Sequence, residues 1–169
     1  MAGERAIGGA LVAPRIGSED PGSAESLAVL RAHLALMRSI SPPESVHALE
    51  PDALRGPDIG FVGLRENGEL IGVGALKRLD PVVGGEGHGE IKSMHTLARH
   101  RGRGVARLIL RHLMDEARRA GLVRLSLETG SQPEFAPART LYVAHGFEAC
   151  GPFGRYEPDP NSAFLTRSL

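Results

Sequence analysis

Apolar residues fall at helical and strand spacings in a regular succession along the chain. Leu27, Leu30, Leu34 and Met37 recur every three or four residues. That spacing predicts a helix running from the turn at Asp20-Pro21-Gly22-Ser23 to about Ser39, stopped by Pro42 and Pro43. Before it, Leu11–Ile16 reads as a first strand behind a Gly/Ala-rich leader over residues 1–9. After it, Ser41–Leu49 reads as a loop or short helix, with Ser45 as a candidate cap. Ile59–Leu64 and Leu70–Leu76 read as two strands, and Asn67-Gly68 between them is a strong hairpin signal. Asp80–Gly89 reads as a Gly-rich loop and Glu90–Leu97 as a further strand. From Gly104 to Ala120 the period becomes helical. Val105, Leu108, Ile109, Leu113 and Ala117 are expected on one face, with Gly121 as the stop. Val123, Leu125 and Leu127 alternate as a strand. A second helix is expected over Ala138–His145, ended by Gly146. Phe147–Cys150 and Ala163–Arg167 read as terminal strands.

The order β-α-β-β-β-α-β-α-β-β places hairpins first and a β-α-β crossover later. This predicts an α/β (α+β) fold with a mixed sheet and helices on both faces, not a doubly wound parallel sheet. At 169 residues the chain suits one domain over 1–169. No stretch approaches the ~18 apolar residues of a membrane span.

Charge changes the picture locally. The formal net charge is zero and the pI about 7.1, which argues against non-specific binding to nucleic acid or membrane. Residues 91–124, however, hold 9 basic against 2 acidic groups, whereas residues 1–90 hold 8 against 13. A basic centre in a neutral protein suits a small polyanion. The single cysteine, Cys150, excludes an intramolecular disulfide and fits the cytoplasm. The seven histidines form neither HExxH nor a Cys/His cluster, so no metal is expected.

The candidate chemistry lies between Glu90 and Ala106, in EIKSMHTLARHRGRGVA. A strand enters a Gly/Arg loop and a helix leaves it. Free N–H groups and the positive dipole end at a helix start form an anion site. Gly102 and Gly104 let the backbone approach the anion, and Arg101, Arg103 and Arg107 can add charge-assisted bonds. A Walker loop would need Gly-Lys-Ser/Thr, which is absent. A dinucleotide fingerprint fails because Arg107 stands where its last small residue belongs.

Arg101-x-x-Gly104-x-Ala106 resembles the pyrophosphate loop of the GNAT superfamily of N-acetyltransferases. The element order over 59–169 and the segment Leu141-Tyr142-x-x-x-Gly146-Phe147 match the family as well. Glu157-Pro-Asp-Pro-Asn-Ser-Ala-Phe164 and Ser41-Pro-Pro-Glu-Ser-Val-His47 resemble a bacterial subgroup of it. The resemblance implies a mostly antiparallel sheet of about six or seven strands with a splayed central pair. It implies acetyl-CoA as co-substrate, held by Met94, His95, Thr96, and the loop from Arg101 through Gly102, Arg103, Gly104, Val105 and Ala106 to Arg107. It implies acetyl transfer to a primary amine, here expected on a small molecule, with no nucleic-acid or membrane partner. The family often dimerises, which leaves a homodimer open.

The resemblance also assigns roles. Tyr142 matches the family's acid beside the thioester sulfur. Glu90 matches the general base of several members, with His95 as a second candidate. Glu128 and Thr129 end the next strand facing the same cleft, and Glu44 and His47 are candidates for the acceptor wall. His33, His112 and His145 read as structural or solvated. Two alternatives stay open: a non-catalytic acyl-CoA-binding module, and a transferase for protein or peptide amines.

Overall fold

A computed structural model describes residues 13–79 and 86–169. Its strands are β1 Arg15–Ser18, β2 Ile59–Glu66, β3 Glu69–Arg78, β4 His88–Thr96, β5 Arg124–Gly130, β6 Glu148–Cys150 and β7 Ser162–Ser168. Its helices are α1 Ala24–Ile40, α2 Val105–Arg119 and α3 Ala136–Ala144. Short 3-10 turns occur at Pro43–Ser45, Pro51–Arg55, Ala98–His100 and Pro133–Phe135. The element order is the expected one. The leader over 1–9, the start of the first predicted strand and most of the Gly-rich loop at 80–89 lie outside the described residues. That loop ends sooner than expected, because His88 and Gly89 already belong to β4.

The seven strands form one sheet in the order β1-β2-β3-β4-β5-β7-β6. All neighbours are antiparallel except β4 and β5, which are parallel. Asn67 and Gly68 both adopt positive φ, 50° and 87°, as the tight β2–β3 turn requires.

α1 covers one face, where Val29 and Leu30 pack with Phe61, Val73 and Ala75. α2 and α3 cover the other, where Ile109, Leu113 and Tyr142 pack with Ile91, Leu125 and Leu127. Ser23 caps α1 by accepting from the Ser26 N–H. Three details differ from the periodicity. In α1, Leu27 and Met37 are only half-buried, while Ser26, Val29 and His33 join Leu30 and Leu34 inside. In α2, Leu108 is exposed and Leu110 and Met114 are buried, because the helix turns that flank onto the sheet, where both join the cluster of Ile91, Leu122, Leu125 and Leu127. Val123 likewise precedes β5 and is exposed.

α2 approaches β3 closely through Gly72 and Gly74. A Cβ at Gly74 would lie 2.7 Å from Ile109 Cγ2, 2.9 Å from Met94 Sδ and 3.1 Å from Leu113 Cδ1. Overpacking of this kind costs roughly 1–3 kcal/mol. Gly74→Val should therefore lower the melting temperature, by about 2–4 °C per kcal/mol in a chain of this size, in a calorimetric scan. An unshifted transition would show that α2 can slide off the sheet without penalty.

Candidate active site

β4 and β5 are paired only at their beginnings, from His88↔Arg124 to Ile91↔Leu127. Beyond that point β4 stays with β3 as far as Thr96↔Gly72, and β5 follows β7 as far as Gly130↔Ser162. The central pair therefore splays, and a cleft of about 540 Å³ opens between its arms.

A bulge aims the residues of β4. Between Ala75↔Lys92 and Val73↔His95, β4 holds one residue more than β3, and Ser93 adopts φ 53°. Such a bulge bends its strand and shifts the alternation of faces. Met94 accordingly packs towards α2, and His95 falls on the α1 side, edge-on to His33 with ring centroids 5.3 Å apart. Burial, then the Arg101 charge, lowers the His95 pKa to about 4. Burial, then His95, lowers His33 to about 4. Both imidazoles are neutral at pH 7, and His33 Nδ1 is buried with no hydrogen-bond partner among the described residues.

The anion loop lies at the outer end of the cleft. Gly102 and Gly104 adopt positive φ, 75° and 82°, which glycine alone tolerates without strain. Gly104 starts α2 with no side-chain cap, and the first intrahelical bond runs from the Leu108 N–H to the Gly104 carbonyl. The N–H groups of Val105, Ala106 and Arg107 therefore lack intrahelical partners, and all three residues line the cleft. Arg101 and Arg107 line it too. Arg103 does not: its guanidinium donates to both Glu66 oxygens at 2.8 and 2.9 Å, and its second nitrogen lies 2.8 Å from His100 Nδ1.

Met94, His95 and Thr96 line the inner cleft from β4, and Glu128 and Thr129 from β5. By strand alternation Glu128 belongs to the α1 face and Thr129 to the α2–α3 face. Tyr142 lines the cleft from α3, 6% exposed, with its ring against Phe147. Burial, then the Glu128 charge, raises its phenol pKa well above the ordinary value. Burial also raises the Glu128 carboxyl, against the Ser162 hydroxyl that donates to it at 2.6 Å and the charges of His47 and Lys92. His47 lines the cleft, and its Nε2 lies 3.8 Å from Asp159 Oδ2. Glu44 sits exposed on the Pro43–Ser45 turn, outside the lining.

Glu90 is 4% exposed and lies beneath the floor, where β4 and β5 are still paired. Its Oε1 accepts from the Tyr156 hydroxyl at 2.6 Å and from Lys92 Nζ at 2.9 Å, and Lys92 also donates to Tyr156 at 2.7 Å. Burial, then the Glu90 charge, holds the Tyr156 phenol far above its usual range. Sequence reasoning offers Lys92 as an ion-pair partner of Glu90, which the structure shows, but it missed Tyr156 as the third member and set His33 aside. Lys92 was legible because it stands two residues from Glu90 on one strand face. Tyr156 lies in an irregular segment and carried no periodic signal.

Among the described residues, no helix is long and apolar enough to cross a membrane. No group of three or more His, Cys, Asp or Glu side chains among them could hold a metal ion.

Comparison with known proteins agrees with this geometry. The acetyltransferase (GNAT) family model matches residues 27–147. The chain is 50% identical to the uncharacterized N-acetyltransferase YsnE of Bacillus subtilis over 143 residues, 85% of this chain and 91% of that one. It is 41% identical to the IAA acetyltransferase of Azospirillum brasilense, covering 76% and 80% of the two chains. Among solved structures, a provisionally named acyl-CoA N-acyltransferase from Klebsiella pneumoniae superposes with a TM-score of 0.73 at 27% identity. That match covers 93% of this chain and 98% of the other. A splayed β4–β5 pair with an uncapped Gly/Arg helix start at its mouth, together with these matches, makes the chain a member of the acetyltransferase (GNAT) family and an N-acetyltransferase.

Proposed function

We propose that the protein moves an acetyl group from acetyl-CoA to the primary amine of a small molecule, by direct attack with both substrates bound. The observation that carries this reading is the joining of two sites in one cleft. The anion loop of α2 and the tyrosine of α3 lie on one face of the sheet, and a chamber beneath α1, with Glu128 at its depth, lies on the other. The residues suit the donor. Uncapped N–H groups at Val105 to Arg107, with Arg101 and Arg107, match a pyrophosphate. Ser93 Oγ and Thr96 Oγ1, buried beside the cleft without partners among the described residues, offer bonds to a polar arm. The name of the Azospirillum brasilense relative favours a small acceptor. The cytoplasm, where the Cys150 thiol stays reduced, is part of the same proposal.

Acetyl-CoA supplies a thioester carbonyl and a thiolate leaving group. The amine nitrogen bonds to the carbonyl carbon, the carbon–sulfur bond breaks, and the nitrogen sheds protons. Backbone N–H groups along Met94–Thr96 face the position where the carbonyl oxygen gathers charge. Tyr142 directs a hydrogen bond from its hydroxyl to the departing sulfur, and the thiolate takes its proton from solvent after release. Glu128 suits the remaining task. It lies in the cleft on the α1 face, and burial makes it a stronger base than an ordinary carboxylate. Glu90 is engaged by Tyr156 and Lys92 and acts through them.

Two measurements test this. A thiol-release assay with acetyl-CoA and a panel of amines should show turnover, and none with any amine would overturn the reading. Glu128→Gln should lower kcat/KM by about 10²–10⁴-fold in the window above the raised Glu128 pKa and below that of the acceptor ammonium, where the wild-type carboxylate is ionised and the amine is not yet neutral. The loss should shrink as pH rises, because more acceptor is then already neutral. Glu90→Gln should keep most of the rate. It should lose about 1–3 kcal/mol of stability in denaturant titration, since the buried Lys92 ammonium loses its carboxylate. A reversed pair of pH profiles would make Glu90 the base, reached through Tyr156.

A further inference from the structure

α1 carries one continuous stripe, and the protein covers only part of it. Ser26, Val29, Leu30, His33 and Leu34 are buried. Leu36, Met37 and Ile40 follow His33 at three, four and seven residues, the spacing of a single helix face. These three remain half-exposed and face the cleft, and Val46 continues the same wall beyond the helix. An apolar helix face is ordinarily closed by packing. Here the sheet closes its first half, and the second half is left to the cleft.

The wall stands on the face of the sheet opposite α2 and α3. The donor's phosphates and its leaving sulfur are assigned to that other face, so the cofactor arm does not cover the wall. The charges at its inner end are mostly committed. Lys92 is paired with Glu90, His47 leans on Asp159, and His33 and His95 are neutral. Glu128 has no basic side chain within salt-bridge distance among the described residues, and it accepts only the Ser162 hydroxyl. The chamber therefore presents one carboxylate at its depth and an apolar wall leading to it. From His33 to Ile40 the wall runs about 10 Å at ~1.5 Å per residue.

We propose that the acceptor is a small primary amine carried on an apolar body, aromatic or branched aliphatic. Its ammonium enters toward Glu128, and its body lies along Leu36, Met37, Ile40 and Val46. This rests on the acetyltransferase reading above and narrows it. Polyamines would place a second charge on the apolar wall, and amino alcohols would leave that wall uncovered.

The test is kcat/KM by thiol release at saturating acetyl-CoA. The acceptors are 2-phenylethylamine, 3-methylbutylamine, ethanolamine, spermidine and a short peptide with N-terminal Phe. The two apolar amines should exceed ethanolamine and spermidine by about 10-fold or more, the scale on which an apolar pocket discriminates. Met37→Gln and Ile40→Gln should each cost 2-phenylethylamine about 10-fold while changing ethanolamine by less than about 2-fold. The KM for acetyl-CoA should stay put. Preference for spermidine, ethanolamine or the peptide overturns the proposal. So does an apolar preference that both variants leave intact. If a variant does not fold, the wild-type ranking still decides. Absence of turnover with every amine, despite binding of acetyl-CoA in a melting assay, instead strikes the acetyltransferase reading itself.

Discussion

Gly104→Asp is expected to abolish the rise in melting temperature that CoA gives the native protein. At a hundred times its dissociation constant, a ligand bound only to the folded state adds about 2.7 kcal/mol. In a chain of this length that is roughly 5–10 °C. Gly104 is the position where the anion loop becomes α2, with φ 82° and no side chain between the helix start and the cleft. An aspartate there brings a negative charge to the N–H groups of Val105 to Arg107. At ~5 Å and an effective dielectric near 20, each phosphate charge would be repelled by about 3 kcal/mol, enough to cancel the gain. Gly104→Ala separates this effect from backbone strain. A Cβ would meet only the Arg107 guanidinium, at 3.3 Å, so its main penalty is the left-handed φ, about 1–2 kcal/mol. The alanine variant should melt lower without ligand and keep part of the shift. Dephospho-CoA should shift the wild type less than CoA. An Asp variant that CoA still stabilises would put the pyrophosphate elsewhere. A wild type that responds to ATP or NAD but not CoA would overturn the donor assignment.

The geometry of that loop was legible in the sequence because it is local. Seven consecutive residues, Arg101 to Arg107, supply the glycines, the free N–H groups and the arginines, and their spacing alone suits an anion. The hairpin at Asn67-Gly68 and the cap at Ser23 were legible for the same reason. Arg103 shows where locality ends, since its charge is turned aside by Glu66, 37 residues away. Contacts across the sheet were not legible. Glu90 meets Tyr156 across 66 residues, and His33 looked like a lone core histidine because His95 lies on another element. The stripe of α1 misled in an instructive way. Periodicity marks which side of a helix is apolar, but not whether protein or ligand covers it, and Met37 lies where the cover changes. The splay of β4 from β5 is set by which partner each strand keeps after Ile91↔Leu127. No residue pattern announces that choice, and the expectation of it came from family resemblance.

Tyr142→Phe is expected to lower turnover by roughly 10- to 1000-fold while leaving the fold and CoA binding nearly unchanged. The ring packs on Phe147 at 5.8 Å in the core shared by α2 and α3, and phenylalanine keeps that packing. The hydroxyl accepts and donates no hydrogen bond among the described residues, so removing it strands no partner. The stability penalty should be small. Burial and the nearby Glu128 carboxylate keep the phenol protonated throughout the working pH range. The same shift makes it a weak acid. A leaving thiolate, with a pKa near ~8.5 by analogy with cysteine, cannot fully deprotonate it. The contribution is therefore a hydrogen bond that strengthens as the carbon–sulfur bond opens, which sets the expected loss at or below that of a full general acid. Single-turnover rates isolate this step from product release. The loss should appear there, and it should shrink for acyl donors whose thiols are more acidic and leave with less help. Tyr156→Phe provides the contrast, because that hydroxyl bridges Glu90 and Lys92 and its loss should lower the melting temperature first. A Tyr142→Phe enzyme with wild-type single-turnover rate would remove Tyr142 from the chemistry and turn attention to Tyr156, the only other tyrosine in the chain.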